Sequence, residues 1–426
     1  MKWFADPLKR SRIMYIIQAD LEYLINLLVT GAFLATLTTQ LGMSDSLTGI
    51  ISSFSSLGCL FQMISVIFRR GSVKKFVILI SLSNQVLFIL LYLIPLGNAP
   101  YLKYLFIACL FFALFIYNVA HPKKIDWLMS MVEEGNRGIF TANKEIISLI
   151  TGIVFNMVMG ALMDYFKLRG ETKIALILGA VTLFCLSILH VTSISLAIDK
   201  QNPENKKGAF SFKESISFLS DKNTLKLIFV FILWYVSNYA TVSFYGTYQI
   251  KELGFSLTTI STITIVSSIV RIFVSRFWGS YADKNGFAKM LCICLGVTVI
   301  AHIFAAFSVP SNGIIMFTLY SVFYYIGQGG IGSGLINICF DYMPYTKRAD
   351  FMAFAQAFAG LSGFLTTLIM SSLVTYIQQN GNQFLGFNLY AQQVTSIIAS
   401  ILGILVVVYI IVFIIPMKRI RGKKTF

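Results

Sequence analysis

Charge is scarce in this chain. Only 12% of its 426 residues are Asp, Glu, Lys or Arg, roughly half the share of a soluble globular protein. That excludes an ordinary soluble domain and a disordered chain. Cysteine is scarce too. The six (Cys59, Cys109, Cys185, Cys292, Cys294 and Cys339) all lie within long apolar stretches, so a disulfide scaffold is excluded and they read as small packing residues. Cys292 and Cys294 are two apart and face different sides of a helix; no metal site is expected. The chain lacks a phosphate-binding loop, which excludes a one-chain ATP-driven pump. It also lacks paired acids or a Ser–His arrangement at one depth, so neither catalysis nor a cofactor is expected. Period-two alternation is missing as well, which argues against a β-barrel.

What is present is hydrocarbon. Hydrophobic residues make up 57% of the chain, about 243 positions, and a membrane helix takes about 20. Twelve spans are predicted near 16–40, 45–68, 74–96, 101–131, 144–165, 174–198, 225–249, 256–279, 289–309, 313–341, 351–378 and 391–415, numbered 1 to 12 below. The sequence therefore predicts an all-α polytopic membrane protein.

Basic residues outnumber acidic ones, 34 to 18. In a soluble protein that excess would suggest nucleic acid; here it reports topology, and no nucleic-acid partner is expected. Twenty-seven of the 34 Lys and Arg fall on one side of the predicted spans, Lys123 and Lys124 among them, where His121-Pro122-Lys123-Lys124 makes the end of span 4 the least defined. Lys103, Lys167, Arg169, Lys173 and Lys251 fall on the other, and Arg271 and Arg276 lie within span 8. The positive-inside rule then puts both termini in the cytoplasm, consistent with an even number of spans. The basic stretch Lys418–Lys424 reads as a topology anchor, with an anionic-lipid site as the alternative. A cleavable signal peptide is not expected, because Asp20 and Glu22 interrupt the first apolar run.

One polar stretch, Asp199 to Lys226, separates six spans from six. The expected organisation is an N-terminal six-helix bundle over 1–198, a cytoplasmic linker over 199–224 and a C-terminal bundle over 225–426. The halves repeat weakly. Arg137 and Arg348 each follow the end of a fourth span, each with an Ala five residues on, and they are 211 residues apart. Such repeats mark transporters that alternate access to a site between halves.

The sharpest motif follows span 8, from Gly279 through Asp283, Lys284 and Gly286 to Lys289. It resembles the signature loop of the major facilitator superfamily, G-x-x-x-D-(R/K)-x-G-x-x-(R/K), bacterial type. Gly permits close helix approach, Asp can sit at a helix N-terminus, and Gly286 permits a tight turn. The matching first-half loop, Ser65 to Lys75, is degraded: Arg69 stands where the Asp is expected, Arg70 keeps the basic position and Ser72 replaces the Gly. The resemblance implies a 6+6 fold with a central cavity lined by spans 1, 4, 7 and 10, and a cytoplasmic gate braced by these loops. Asp283 is then expected near Asn143 and Lys144. Arg69 or Arg70 is expected to pair with Asp350 in a charge-swapped gate; a purely topological role is the alternative.

Polar residues inside spans are costly and so informative. Glu22, Asn26, Thr30, Thr36 and Gln40 share one stripe of span 1. Trp234, Asn238, Thr241, Tyr245 and Tyr248 share one of span 7. Spans 4 and 10 offer Tyr117, Asn118 and His121, and Tyr320, Tyr324 and Gln328; span 12 is nearly all apolar and should face lipid. Pro122 and the Gly327–Gly334 run interrupt spans 4 and 10 at matching places, which reads as close packing, a hinge or substrate contact. Glu22 and Arg271 lie at similar depth and are expected to form an ion pair, either coupling a proton or merely fixing register. Asp20 and Asp126 are expected to be solvated, and His190 and His302, on helices expected to be peripheral, to be satisfied core residues.

The resemblance implies a secondary active transporter of a small organic solute working by alternating access. We expect proton coupling, a monomer, a cytoplasmic-membrane location and contacts with membrane lipid. A non-transporting solute sensor or partner-binding protein, or a lipid-head-group translocase, are the alternatives.

Overall fold

The structure, a computed structural model, describes residues 6–62, 72–129, 131–132, 137–199, 221–343 and 348–419. Among these residues, 11 helical stretches are long and apolar enough to cross a membrane. Span 1 is Pro7–Gln40, span 3 Val73–Leu96, span 4 Leu102–Met129, span 5 Arg137–Leu168 and span 6 Thr172–Leu196. Span 7 is Lys222–Glu252, span 8 Leu257–Asn285, span 9 Phe287–Ala306, span 10 Gly313–Tyr342, span 11 Arg348–Gln379 and span 12 Ala391–Ile414. The second predicted span falls on two short helices, Asp45–Ser52 and Phe54–Phe61; most of its remainder lies outside the described residues. The architecture is all-α and polytopic, as the composition requires.

Local chemistry sets the helix ends. Asp6 accepts the Leu8 N–H at 2.9 Å, with Pro7 at the first helical position, where its missing N–H costs nothing. Asp221 accepts the Asn223 and Thr224 N–H groups at the start of span 7. Gly286, at φ +91°, turns the chain from span 8 into span 9, and Asp341 of span 10 caps span 9 by accepting the Phe287 N–H at 2.9 Å. Between spans 11 and 12, β1 (Gln383–Phe384) and β2 (Phe387–Asn388) form a hairpin. Its turn residues Leu385 and Gly386 both have positive φ, as a type I′ turn demands.

The chain groups into two compact units. The first holds spans 1, 3, 4, 5 and 6, and the second holds spans 7 and 9 to 12 with most of span 8. This grouping departs from the predicted six-plus-six boundaries in two places. Asp45–Leu60 belongs with the second unit and Phe255–Ser261 with the first. Two acids account for it. Asp45, 3% exposed, accepts from Lys251 Nζ at 2.6 Å and from Gln378 Nε2 at 2.9 Å. Asp164, at the end of span 5, accepts the N–H groups of Leu257 (3.1 Å) and Thr258 (2.7 Å), capping the start of span 8.

Spans 1 and 7 are broken. Span 1 stops as an α-helix at Leu28 and resumes at Gly31; span 7 stops at Tyr239 and continues through a 3₁₀ turn, Val242–Phe244, and a π turn, Tyr248–Glu252. The break residues Thr30 and Thr241 are 211 residues apart, the separation already seen between Arg137 and Arg348. Each break frees a backbone carbonyl, and each carbonyl finds a side-chain hydroxyl. Tyr92 of span 3 donates to Leu28 O at 2.7 Å, and Thr367 of span 11 donates to Tyr239 O at 3.0 Å. Leu28 and Tyr239 are again 211 apart.

The expected interruptions in spans 4 and 10 are not there: both run as single helices, Leu102–Met129 and Gly313–Tyr342. Of the three readings of the span 10 glycines, close packing is the one the geometry fits. A Cβ at Gly327 would lie 2.7 Å from Cys294 O, and one at Gly334 would lie 2.7 Å from Leu291, so span 10 can meet span 9 only through glycine.

Tyr92→Phe keeps the ring and removes only the donor to Leu28 O. It should cost about 1–3 kcal/mol, the penalty of stranding a buried acceptor. Thermal unfolding in detergent should show the loss, and an unchanged midpoint would mean that the span 1 break is satisfied in another way.

Candidate functional site

In the first unit, four helices bring polar side chains together. Span 1 supplies Glu22 and Asn26, one turn apart; span 3 supplies Asn84 and Gln85; span 4 supplies Tyr117 and Lys124; span 6 supplies His190. They line a recess of about 20 Å³, room for about one water. Glu22 and Lys124 form an ion pair, with side chains 16% and 5% exposed. The Lys124 ammonium also lies 5.5 Å from the Tyr117 ring centroid, a favourable placement over a π face. Two opposite charges taken together into a helical membrane protein neutralise one another; either alone would be costly.

Beside the ion pair, Gln85 Nε2 and His190 Nδ1 hydrogen-bond at 2.5 Å. Gln85 Oε1 and His190 Nε2, both buried, have no partner. The amide Nε2 can only donate, so Nδ1 accepts and the imidazole Nε2 carries the proton; the pair leaves one donor, His190 Nε2, and one acceptor, Gln85 Oε1, unmet. Asn84 Nδ2 donates to Ala113 O at 2.7 Å, which fixes span 3 against span 4.

Several expectations change here. Glu22 takes Lys124 as its partner; Arg271, expected from depth alone, belongs to the second unit. Lys124 had counted as a cytoplasmic cation at an uncertain helix end, but span 4 continues past it to Met129 and buries it. His190 is not a satisfied core residue, and span 6 contributes to the recess. His121 is half-buried, stacked 5.4 Å from Tyr117, with Nδ1 unpartnered. Asn118 is buried and accepts from Gln62 Nε2 at 3.1 Å, while Thr30 is exposed and bonds its own helix at Asn26 O. Asp20 accepts from Thr151, so it is not simply solvated. Asn84, Gln85 and Lys124 were not singled out from the sequence; an adjacent Asn-Gln pair inside apolar span 3 was the available signal.

The second unit gathers neutral polar and aromatic groups. Tyr324 donates to Asn238 Oδ1 at 2.7 Å, and Tyr235 to Gln356 Oε1 at 3.1 Å. The rings of Tyr235 and Tyr239 stack 5.6 Å apart. Gln328 and Arg271 are half-buried. Trp234 and Tyr245 are buried instead of lining a surface; the Tyr245 hydroxyl bonds Ser396 Oγ at 2.8 Å. His302 lies 3.4 Å from that hydroxyl through Nδ1, and its Nε2 is unpartnered.

Of the loop residues, Gly279, Asp283 and Lys284 are exposed, and a Cβ at Gly279 would meet nothing, so Gly279 is not a site of close approach. Gly286 does make the tight turn, beneath Arg419, whose guanidinium donates to Asn285 O. Lys144 is half-buried, 5.7 Å from the Tyr15 ring. Arg69 and Arg70, and the side chains of Arg137, Arg348 and Asp350, lie outside the described residues, and with them the charge-swapped gate.

The model of the Major Facilitator Superfamily matches residues 21–367 and again 240–425. The chain belongs to the major facilitator superfamily. Solved structures of similar fold are transporters. A mutant of the nucleoside transporter NupG superposes with TM-score 0.72 at 13% identity, covering 94% of this chain and 99% of that one. A D-xylose-proton symporter gives 0.65 at 13%, covering 93% and 97%. The E. coli fucose:proton symporter FucP gives 0.55 at 14%, covering 95% and 97%. Identities this low speak for the fold alone. No curated protein matches the sequence. Superfamily membership makes this a multi-pass membrane protein of transporter type, which fits the expectation that it is not an enzyme.

Lys124→Met should strand the Glu22 carboxylate and cost about 3–5 kcal/mol. Adding Glu22→Gln should recover most of that loss, because the second change removes the uncompensated charge. Thermal melts of the two single variants and the double variant test this; strictly additive losses would show that the two residues act independently.

Proposed function

We propose that this superfamily member is a secondary active transporter of a small organic solute, working by alternating access and coupled to protons through Glu22. The observation that carries the reading is the buried Glu22–Lys124 pair, set beside unpartnered Gln85 and His190 atoms in four packed spans. A carboxylate held by a lysine ammonium has two exchangeable partners. A proton arriving at Glu22 cancels its charge and frees Lys124, and a polar group of the solute then takes the ammonium or the neighbouring donor and acceptor. Charge and ligand are thereby linked at one place, as coupled transport requires.

The neutral amides and stacked tyrosines of the second unit, Asn238, Gln328, Gln356, Tyr235, Tyr239 and Tyr324, suit a solute with a flat or ring-shaped body. In this reading the solute is small and uncharged or weakly charged, and the protein acts as a monomer. It sits in the cytoplasmic membrane with both termini inside, as the distribution of cations supports. Lys144, Asp283, Lys284 and Gly286 belong to its cytoplasmic gate. Arg69, Arg70, Arg137, Arg348 and Asp350 complete that proposal.

Proteoliposomes under a proton gradient, loaded in turn with nucleosides, pentoses and hexoses, provide the test. The wild type should accumulate at least one of these solutes against its gradient. Glu22→Gln should keep solute counterflow and lose gradient-driven accumulation, because exchange needs the site and uphill transport needs the proton. Accumulation by Glu22→Gln at the wild-type level would remove the coupling role; absence of counterflow in both proteins would remove the transport reading.

A further inference from the structure

At one end of the second unit, spans 7, 11 and 12 leave a groove of about 420 Å³, within the size range of small-molecule sites. Its walls are hydrocarbon: Leu225, Ile228, Phe229 and Ile232 of span 7, Phe358 of span 11 and the ring of Tyr409 of span 12. Tyr409 turns its hydroxyl away to donate to the Lys226 backbone carbonyl at 3.3 Å, which leaves the groove without a free hydroxyl. One charged residue lines it, Lys226.

Depth and charge together say what fills this groove. Lys226 lies four residues into span 7, about 6 Å along the axis, and Ile232 about 15 Å. Phe358 is ten residues into span 11, and Tyr409 five from the end of span 12. The groove thus runs over about 6–15 Å from the helix ends, the depth of one leaflet of a bilayer whose hydrocarbon core is about 30 Å thick. Lys222 and Lys226 stand one helical turn apart at its outer end. Asp221, one residue before Lys222, is occupied by the N–H groups of Asn223 and Thr224 and the Thr224 hydroxyl. An apolar slot one leaflet deep, opening beneath two cations, is complementary to a chain of hydrocarbon ending in an anion.

We propose that this groove binds one anionic glycerophospholipid, an acyl chain lying along Phe229, Ile232 and Phe358 and the phosphodiester held by Lys226 and Lys222. The lipid would come from the leaflet in which the basic ends of the spans lie. It would tie span 12 to span 7 where Tyr409 already joins them.

Native mass spectrometry of the delipidated full chain, titrated with phosphatidylglycerol or phosphatidylcholine of the same acyl composition, tests the site. Phosphatidylglycerol should bind at least about fivefold more tightly, the contribution of one interfacial cation. Lys226→Gln should reduce the preference for phosphatidylglycerol, Lys222→Gln with Lys226→Gln should bring it to the level of phosphatidylcholine, and Lys226→Arg should keep it. Ile232→Trp, which fills the slot, should weaken both lipids. The bond from Tyr409 goes to the backbone of residue 226, so Lys226→Gln should melt as the wild type does without lipid. Equal affinity for the two lipids, a headgroup preference undiminished in Lys226→Gln or surviving the double change, or lipid affinity unchanged in Ile232→Trp would each overturn the assignment. A dimer that Ile232→Trp dissolves, with no lipid effect, would overturn it too and make the groove a contact between copies.

Discussion

A backbone carbonyl released inside a membrane protein must find a donor within the protein, because hydrocarbon offers none. That constraint shapes both halves of this chain at one corresponding point. Spans 1 and 7 break at Thr30 and Thr241, and the freed carbonyls of Leu28 and Tyr239 are met by Tyr92 and Thr367. The donors differ in kind and come from spans 3 and 11, which are not counterparts in the repeat. What recurs is the need, not the solution. A broken helix can bend where a continuous one cannot, so the two satisfied breaks give each half a defined place at which its lining helix can change direction.

The same low-dielectric interior governs the side chains. Glu22 and Lys124 are tolerable as a pair and costly as individuals, so each holds the other in place. This makes the pair a sensitive element. Any event that changes one charge changes the energy of the other, with little solvent to screen the effect. Gln85 and His190 extend the polar patch into span 6, so four helices of the first unit share one electrostatic centre. Asp45 and Asp164 apply the same logic at the helix ends: a buried carboxylate collects every donor within reach, and in doing so assigns a stretch of one half to the compact unit of the other.

Composition and periodicity made much of this readable. Twelve apolar runs gave the helical class, the Gly279–Lys289 loop pointed to the superfamily, and the stripe through Glu22 and Asn26 runs along the recess that these two residues line. The misreadings have physical causes. Lys124 looked like a loop cation because Pro122 and Lys123 precede it, yet tertiary packing carried the helix on for another turn and more. Arg271 matched Glu22 in depth, and depth cannot say which helix faces which. His190 lay on a helix assumed to be peripheral, although a helix facing lipid on one side still presents its other side to the interior. The glycines of span 10 left packing, a hinge and substrate contact open from sequence alone; in a close-packed helix pair glycine is what proximity requires. Of the actual breaks, the one in span 1 is marked by Gly31, at φ +55°, whereas span 7 has no glycine or proline beside Thr241.

The two units also differ in what they bury, and the difference bears on how the proposed transporter divides its work. The first concentrates formal charge, Glu22 with Lys124, around a space that admits about one water. The second keeps its own ion pair, Asp45–Lys251, at a helix end, and elsewhere gathers neutral hydroxyls, amides and stacked rings, with Tyr235, Tyr239 and Tyr324 as its broad surfaces. A charge pair responds steeply to a proton but discriminates poorly among neutral solutes. Aromatic and amide surfaces do the reverse, since stacking and directional hydrogen bonds read shape and respond little to pH. Placing the two chemistries on different units allows each to be tuned without disturbing the other. In the proposed mechanism proton and solute meet at Glu22 and Lys124, and alternating access then depends on movement of the helices that carry these groups. For that reason the satisfied breaks in spans 1 and 7 matter more to the proposed mechanism than any single contact in either site: span 1 carries Glu22 and span 7 carries Tyr235 and Tyr239, so each break lies on the helix that bears the chemistry it would have to move.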